Sequence, residues 1–374
     1  MKAKVIILTE TISPYRIPVF NEIAKRLTDQ FMVLFMGKSE KRRQWRIYKE
    51  NIKFRYEVLP NILCQRKGAT PYFFNPTVIY KLLKCSPEII IISGYSQPSS
   101  FLALLYAKLF AKRLILWSES NKNDQRYNHP LKEAYKRWFV RNCAEYIVPG
   151  RASFEYLILL GAEESKIFIA VNAVDNDFFT YACDKNRESR EEFKQRKGYP
   201  KEIILYVGRL IDKKGILDLL KAFQLLSCNR HKLGLVLIGS GEGEERYRKF
   251  CKEQNIKNVF FEGFVHQEGL PAYYAAGDVF VLPTHSETWG LVLNEAMASR
   301  LPVVCSDVAG AACDLIKNAE NGYTYEKGNI AELTEALSKT LNSNKESFGA
   351  NSYKIIQDFS PEKCALSFLR AIKE

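Results

Sequence analysis

Residues 203–226 read IILYVGRLIDKKGILDLLKAFQLL. An apolar, β-branched run ends at Gly208, a polar loop holding Arg209 and Lys214 follows, and a helical pattern begins after Gly215. That is a buried strand turning into a helix, the repeating unit of a parallel sheet covered on both faces. Working outward, the same unit recurs. Strands are expected at LVLIGS (235–240), NVFFEG (258–263), DVFVLP (278–283) and LPVVCS (301–306). Upstream they are expected at KVIIL (4–8), FMVLF (31–35), FRYEVL (54–59), EIIII (88–92), RLILW (113–117) and EYIVP (145–149), with amphipathic stretches such as 18–27 and 99–111 between them. Two successive sets of strand–helix units imply two doubly wound α/β domains, each with ligands bound at the carboxyl ends of its strands. The spacing divides the chain into an N-terminal domain over 1–175, a polar linker over 176–200, a C-terminal domain over 201–358 and a closing helix over 359–374. That helix is opened by Pro361 and has an apolar face suited to packing back on the first domain.

The 374 residues, 47% hydrophobic and 26% charged, have an ordinary globular composition, which excludes collagen-like, disordered and disulfide-scaffold classes. Nine cysteines with no C-x-x-C pair give neither a disulfide framework nor a zinc site, and read as thiols of a reducing compartment. No apolar run approaches the ~18–20 residues of a membrane span. The opening MKAKVIILTE is a first strand rather than an export signal, so a cytoplasmic protein is expected.

The net charge of +13 is one-sided. Residues 1–175 hold 28 Lys and Arg against 15 Asp and Glu, while residues 176–374 hold 27 of each. Clusters at 38–55, Lys112-Arg113 and 132–141 interleave cations with Trp45, Tyr48, Tyr135, Trp138 and Phe139. That mixture suits an anionic membrane surface, with a generic solvated basic face as the plain alternative. Nucleic acid is disfavoured, because no recognised nucleic-acid motif accompanies the charge.

The densest chemical signal is PTHSETWGLVLNEAMASRLPVV (283–304). A buried strand ends at Pro283, a loop carries Glu287, and a helix beginning near Trp289 carries Glu295 on its second turn. The backbone amides of Thr288, Trp289, Gly290, Leu291 and Val292 would form that helix N-terminus, an anion site by virtue of unpaired N–H groups and the helix dipole. Two carboxylates beside an anion site make sense if they accept from sugar hydroxyls; a capping carboxylate and a solvated helix face are the plain reading. After the strand ending at Gly208, Arg209 and Lys214 suit a diphosphate, though alone they read equally as surface cations.

Strand-GRL-x3-KG followed about 70 residues later by Glu-x7-Glu resembles the family 4 retaining glycosyltransferases, which have the GT-B fold of two Rossmann-like domains. The flanks 235–245, 261–284, 306–316 with 321–323, and 149–179 resemble them too, so the likeness covers nearly the whole chain. The resemblance implies a nucleotide-sugar donor (a UDP-sugar in preference to a GDP-sugar), no cofactor, and a saccharide or lipid-linked saccharide acceptor on the first domain. Glu295 would take the ribose hydroxyls and Glu287 those of the transferred sugar. Arg209, Lys214, Gly208 and the helix amides would hold the diphosphate, with Phe264 and His266 near the base and sugar; His266 reads equally as structural, and His285 as a loop residue. The chain departs from the family at TETISPYRIP (9–18), where members carry a paired-glycine loop; Ser13 or Arg16 would substitute through side chains. It departs again at SESN (118–121), where Glu119 stands near the usual histidine, either orienting a hydroxyl or bonded to a structural partner. Arg300 occupies a helix-capping position usually held by glycine. Asp175-Asn176-Asp177 matches a metal-binding pattern of a different fold but lacks its buried strand, so no metal is expected. A nucleotide-sugar epimerase and a non-catalytic partner subunit are the alternatives to a transferase.

Overall fold

The computed structural model describes residues 3–38, 46–64, 72–124 and 130–374. Contacts divide the chain into two units, 1–173 with 361–374, and 174–360. Of the aromatic-basic cluster at 38–55, Trp45 and the basic residues at 41, 42 and 43 fall outside the described residues.

In the first unit the strands are β1 (Val5–Thr11), β2 (Phe31–Gly37), β3 (Tyr56–Val58), a short antiparallel pair β4 (Ile62–Cys64) and β5 (Tyr72–Phe74), then β6 (Ile89–Ser93), β7 (Arg113–Trp117), β8 (Glu145–Val148) and β9 (Ile167–Ile169). Seven of them form a parallel sheet in the order β3-β2-β1-β6-β7-β8-β9. The helices are α1 (Arg16–Leu27), α2 (Thr77–Cys85), α3 (Pro98–Leu109), α4 (Pro130–Arg141) and α5 (Arg151–Leu160). Alternation along β1 sorts the cores. Ile6 and Leu8 point into one packed with Leu82, Leu104, Phe139 and Leu157, from α2 to α5. Val5 and Ile7 point into the other, packed with Phe20 of α1 and with Phe368 and Ile372 of the last helix of the chain, Pro361–Lys373. That helix also receives Arg113, whose guanidinium donates to the carbonyls of Ala371 and Ile372. β1 pairs with both β2 and β6, so the strand order reverses between β1 and β6.

The second unit opens with α6 (Asn176–Arg187) and α7 (Arg190–Lys197). The strands are β10 (Glu202–Val207), β11 (Leu233–Ile238), β12 (Val259–Gly263), β13 (Val279–Leu282), β14 (Val303–Ser306) and β15 (Gly322–Tyr325), in the order β12-β11-β10-β13-β14-β15. Between and after them lie α8 (Ile216–Ser227), α9 (Glu244–Glu253), α10 (Leu270–Ala276), α11 (Leu291–Ala298), α12 (Ala312–Leu315), α13 (Ile330–Asn342) and α14 (Lys345–Ile356). β10 pairs in parallel with β11 on one side and β13 on the other, so this sheet reverses order between β10 and β13.

The segment 176–200 differs from a linker. It folds as α6 and α7 inside the second unit because a narrow apolar stripe, Phe179 and Cys183, is buried within a polar sequence. Cys183 bonds to Ser299, Thr180 to the carbonyl of Ala298, and Arg190 to Asp278. Asp175 accepts from the amide of Phe178 and so caps α6, an ordinary helix-start role for the first residue of Asp175-Asn176-Asp177.

Candidate functional site

A parallel sheet opens a crevice where its strand order reverses, because helices leaving the two adjacent strands depart on opposite faces. In the second unit that point lies between the carboxyl ends of β10 and β13, and both motifs stand there. After β10 the chain turns at Gly208, passes Arg209, makes a 3-10 turn over Asp212–Lys214 and enters α8 through Gly215. After β13 the loop 283–290 leads to α11.

The two loops are latched. The carbonyl of Lys213 accepts from the amide of His285 at 2.8 Å and from the hydroxyl of Thr284 at 3.1 Å. Gly215 has φ +68°, and a Cβ there would lie 1.8 Å from the carbonyl oxygen of Pro283, so only glycine allows this approach. Across the latch Lys214 donates to the carboxylate of Glu287, with the two side chains 12% and 20% exposed. The His285 imidazole lies 2.6 Å from Asp218 on the first turn of α8, a pairing the loop reading of His285 missed. Its only trace in sequence is an acid four residues beyond Lys214, a weak signal among many helical acids. Asp212 is tied to Arg246 of α9, whose guanidinium hydrogen bond holds the Asp212 carboxyl below the usual carboxylate range. The cationic turn is thus braced from both sides.

The helix terminus is α11 with Gly290 as its cap, and no side chain caps it. The amide of Leu293 returns to the carbonyl of Gly290, leaving the partly exposed Leu291 and Val292 at the open first turn, beside partly exposed Thr288. Trp289 contributes backbone only. Its side chain is buried, with Nε1 donating to Asn294 at 2.9 Å and the ring near Phe359. The loop is pinned from behind, since the amides of Gly310 and Ala311 donate to the carbonyls of Glu287 and Trp289.

Glu295 departs from the expectation of a carboxylate presented to a ligand. It is completely buried, like Leu293, Asn294, Ala296 and Met297 beside it, and its Oε2 accepts from the hydroxyl of Tyr274 at 2.7 Å. The cause is that α11 is apolar nearly all round, so the helix is enclosed rather than half exposed. Arg209 is exposed and Gly208 partly so, at the mouth of the crevice. Phe264 and His266 follow the edge strand β12, two strands away from β10, with their rings edge to face at 5.0 Å and Phe264 exposed. The glycines at 239 and 241 serve packing: a Cβ on Gly239 would lie 1.9 Å from the carbonyl oxygen of Gly208.

The first unit has its own reversal point between β1 and β6, and the segments 9–18 and 118–121 meet through Arg16 and Glu119. Arg16 does not reach outward. Its guanidinium donates to Thr9 and to Glu119 at 3.2 Å and lies 4.2 Å over the Trp117 ring. Thr9 in turn accepts from Ser93, and Glu10 from Gln97. Glu119 is therefore an ion-pair partner, and Arg16 is occupied by three internal contacts. Ser13 contributes its carbonyl to the amide of Arg16, closing the turn that starts α1.

Among the described residues no three His, Cys, Asp or Glu side chains come together as a metal-binding group. No helix among them is long and apolar enough to cross a membrane.

The chain is 30% identical over 225 residues to the capsular polysaccharide biosynthesis glycosyltransferase CapM of Staphylococcus aureus, covering 58% of each chain. It is 34% identical over 129 residues to the putative teichuronic acid biosynthesis glycosyltransferase TuaC of Bacillus subtilis, covering 34% of this chain and 31% of that one. The chain spans about half the length of the curated relatives it matches. Among solved structures it resembles HepE of Anabaena in complex with UDP, with a TM-score of 0.77, 18% identity and 99% of both chains covered. It also resembles sucrose-phosphate synthase from Thermosynechococcus elongatus, with a TM-score of 0.75, 18% identity, and 99% and 98% covered. The chain has the GT-B fold, and its residues 188–355, which hold both crevice motifs, match the family model of glycosyl transferases group 1.

Proposed function

We propose that the chain is a retaining, metal-independent glycosyltransferase. It moves a sugar from a nucleoside-diphosphate donor, a UDP-sugar in preference to a GDP-sugar, to a saccharide or lipid-linked saccharide of a surface polysaccharide. It acts in the cytoplasm at an anionic membrane face. The observation that carries the reading is the meeting of the 205–215 and 283–295 motifs at the strand-order reversal of the second sheet, latched through Lys213 and bridged by Lys214 and Glu287. The names of CapM and TuaC place those relatives in capsular polysaccharide and teichuronic acid synthesis, which supports the acceptor class; HepE was solved with UDP, which supports the donor base.

The site residues then divide the work. Arg209, Lys214 and the amides of Leu291 and Val292 stabilise the charge that grows on the departing diphosphate, the contribution that dominates when a leaving group is an oxyanion. Glu287 accepts from hydroxyls of the transferred sugar, releasing Lys214 to the diphosphate as it does so. Glu295 accepts from the ribose hydroxyls once donor binding uncovers it, with Tyr274 holding its carboxylate in place. Phe264 and His266 border the base. The bond from the anomeric carbon to the diphosphate oxygen breaks, the bond to the acceptor oxygen forms on the same face, and the acceptor proton passes to the diphosphate. Glu119, held by Arg16, is the hydroxyl-orienting carboxylate of the first unit, and Ser13, at the turn that starts α1, is assigned to the acceptor side.

Proton NMR of the sugar released from an α-linked UDP-sugar in EDTA tests the reaction type. Retention predicts the α anomer as the first product, and its loss in Glu287→Ala. The β anomer would overturn retention, and turnover only after metal is added would overturn metal independence.

A further inference from the structure

The two helical layers of the first unit differ in a way its fold does not require. Helices α1 and Pro361–Lys373, on one face of the sheet, carry a single exposed large apolar side chain, Leu366, 42% exposed. Helices α2 to α5, on the other face, carry nine, including Leu109 at 79% and Leu131 at 74%, together with Leu105, Trp138 and Leu159. These four helices are one connected layer. The Tyr106 hydroxyl donates to the carbonyl of Leu82, the rings of Phe101 and Trp138 lie 6.1 Å apart, and Arg137 donates to the carbonyl of Leu159. Single exposed leucines are ordinary; nine on one layer against one on the other is an unpartnered apolar surface.

The charge of the same layer says what covers it. Lys84, Lys108, Arg137 and Arg141 stand exposed among the apolar side chains. The two carboxylates of these helices are each paired on their own helix, Glu133 with Lys136 and Glu155 with Arg151. No acidic side chain of α2 to α5 is therefore left to oppose an anionic partner. Trp138 and Tyr135 are stacked and exposed, the amphipathic side chains that settle at headgroup depth. We propose that the outer face of α2–α5 is the surface by which the protein docks on an anionic lipid bilayer, its leucines and Trp138 entering the interface and its cations lying among the phosphates. This rests on the membrane-face part of the function proposed above and assigns it to one layer of one unit.

The test is sedimentation of the full chain with vesicles of phosphatidylcholine alone or mixed with phosphatidylglycerol. Binding is expected to the mixed vesicles only, and to weaken with salt, since screening shortens the reach of each charge. Lys108→Glu and Arg141→Glu should each weaken it at least about fivefold, the factor for one cation at an anionic leaflet. Leu109→Glu and Trp138→Glu should weaken it at least tenfold, while Leu366→Glu on the opposite layer leaves it unchanged. Unaltered melting temperatures and unaltered UDP binding keep these variants interpretable. Equal binding by all the variants, no binding to mixed vesicles, or an effect of Leu366→Glu as large as that of Leu109→Glu would overturn the assignment. A concentration-dependent dimer that Leu109→Glu abolishes, without vesicle binding, would also overturn it and assign the face to a second copy. UDP binding is read separately, so failure of docking leaves the transferase reading standing, and the reverse.

Discussion

Lys214 and Glu287 hold each other in the crevice, yet the proposed chemistry gives them different ligands, and this conflict can be measured. The perturbations are Lys214→Ala, Glu287→Gln and the double variant. With side chains 12% and 20% exposed, the pair sits between surface pairs, worth about 0–1 kcal/mol, and fully buried ones, where removing one partner costs about 3–5 kcal/mol. Truncating either side should therefore destabilise the second unit by about 2 kcal/mol, or roughly 4–8 °C in melting temperature for a unit of this size. The double variant should fall short of the sum by about 1 kcal/mol, because the second change no longer strands a charge. Nucleotide binding separates the two residues. Lys214→Ala loses a charge-assisted hydrogen bond to diphosphate, about 1.5–3 kcal/mol, and should weaken UDP roughly 10- to 150-fold by calorimetry. Glu287→Gln removes the competitor for the ammonium, so UDP should bind as tightly as before or more so, while sugar transfer falls. If Glu287→Gln weakens UDP as much as Lys214→Ala does, the division of labour between them is wrong.

Other consequences follow from the same geometry. Gly215→Ala and Gly198→Ala start from the same φ of +68°, but only Gly215 faces a backbone oxygen; nothing lies within 4 Å of a Cβ on Gly198. Thermal unfolding should show about 1 kcal/mol lost in Gly198→Ala and at least about twice that in Gly215→Ala, and only the latter should lose UDP binding. Glu262 accepts from Lys197 and from the Tyr273 hydroxyl; burial raises its pKa, but these hydrogen bonds outweigh it and leave it below 4.5. A carboxyl depressed by folding lends stability above its unfolded value and withdraws it as pH falls through the folded value, so urea midpoints should drop below about pH 4.5, less steeply in Glu262→Gln. Arg300 sits at φ +57° with its guanidinium 4.2 Å over the Tyr353 ring. Arg300→Ala should cost about 1 kcal/mol in urea unfolding by losing that contact while keeping the strain, and Arg300→Gly should recover most of it.

The strand–helix alternation was legible because buried parallel strands are continuous apolar runs, and β10, β13 and the helices after them fall where those runs place them. β9 and β15 do not stand out because Ile167–Ile169 is only three residues long and Gly322–Tyr325 is short and mixed. Helices α6 and α7 were hidden by composition, since α6 buries only Asn176, Phe179 and Cys183 and α7 only Lys194 while the rest stays polar. The crevice residues were readable from motif spacing, but their pairings were not. That Lys214 meets Glu287 and that His285 meets Asp218 both depend on β10 and β13 being neighbours across about 70 residues of chain, and that Glu295 is enclosed with Tyr274 depends on how α10 and α11, before and after β13 in the chain, pack together. In the same way Arg16 and Glu119 reach each other only because α1 and the end of β7 converge over Trp117.

Nucleoside diphosphates are expected to bind without metal at the crevice between β10 and β13 of the second unit. Calorimetric titration of UDP and GDP into the full chain in EDTA tests it most directly, with Arg209→Ala alongside. UDP should bind saturably, GDP more weakly, and Arg209→Ala should lose at least about tenfold in UDP affinity. No binding of either nucleotide, or UDP binding untouched by Arg209→Ala, would contradict it.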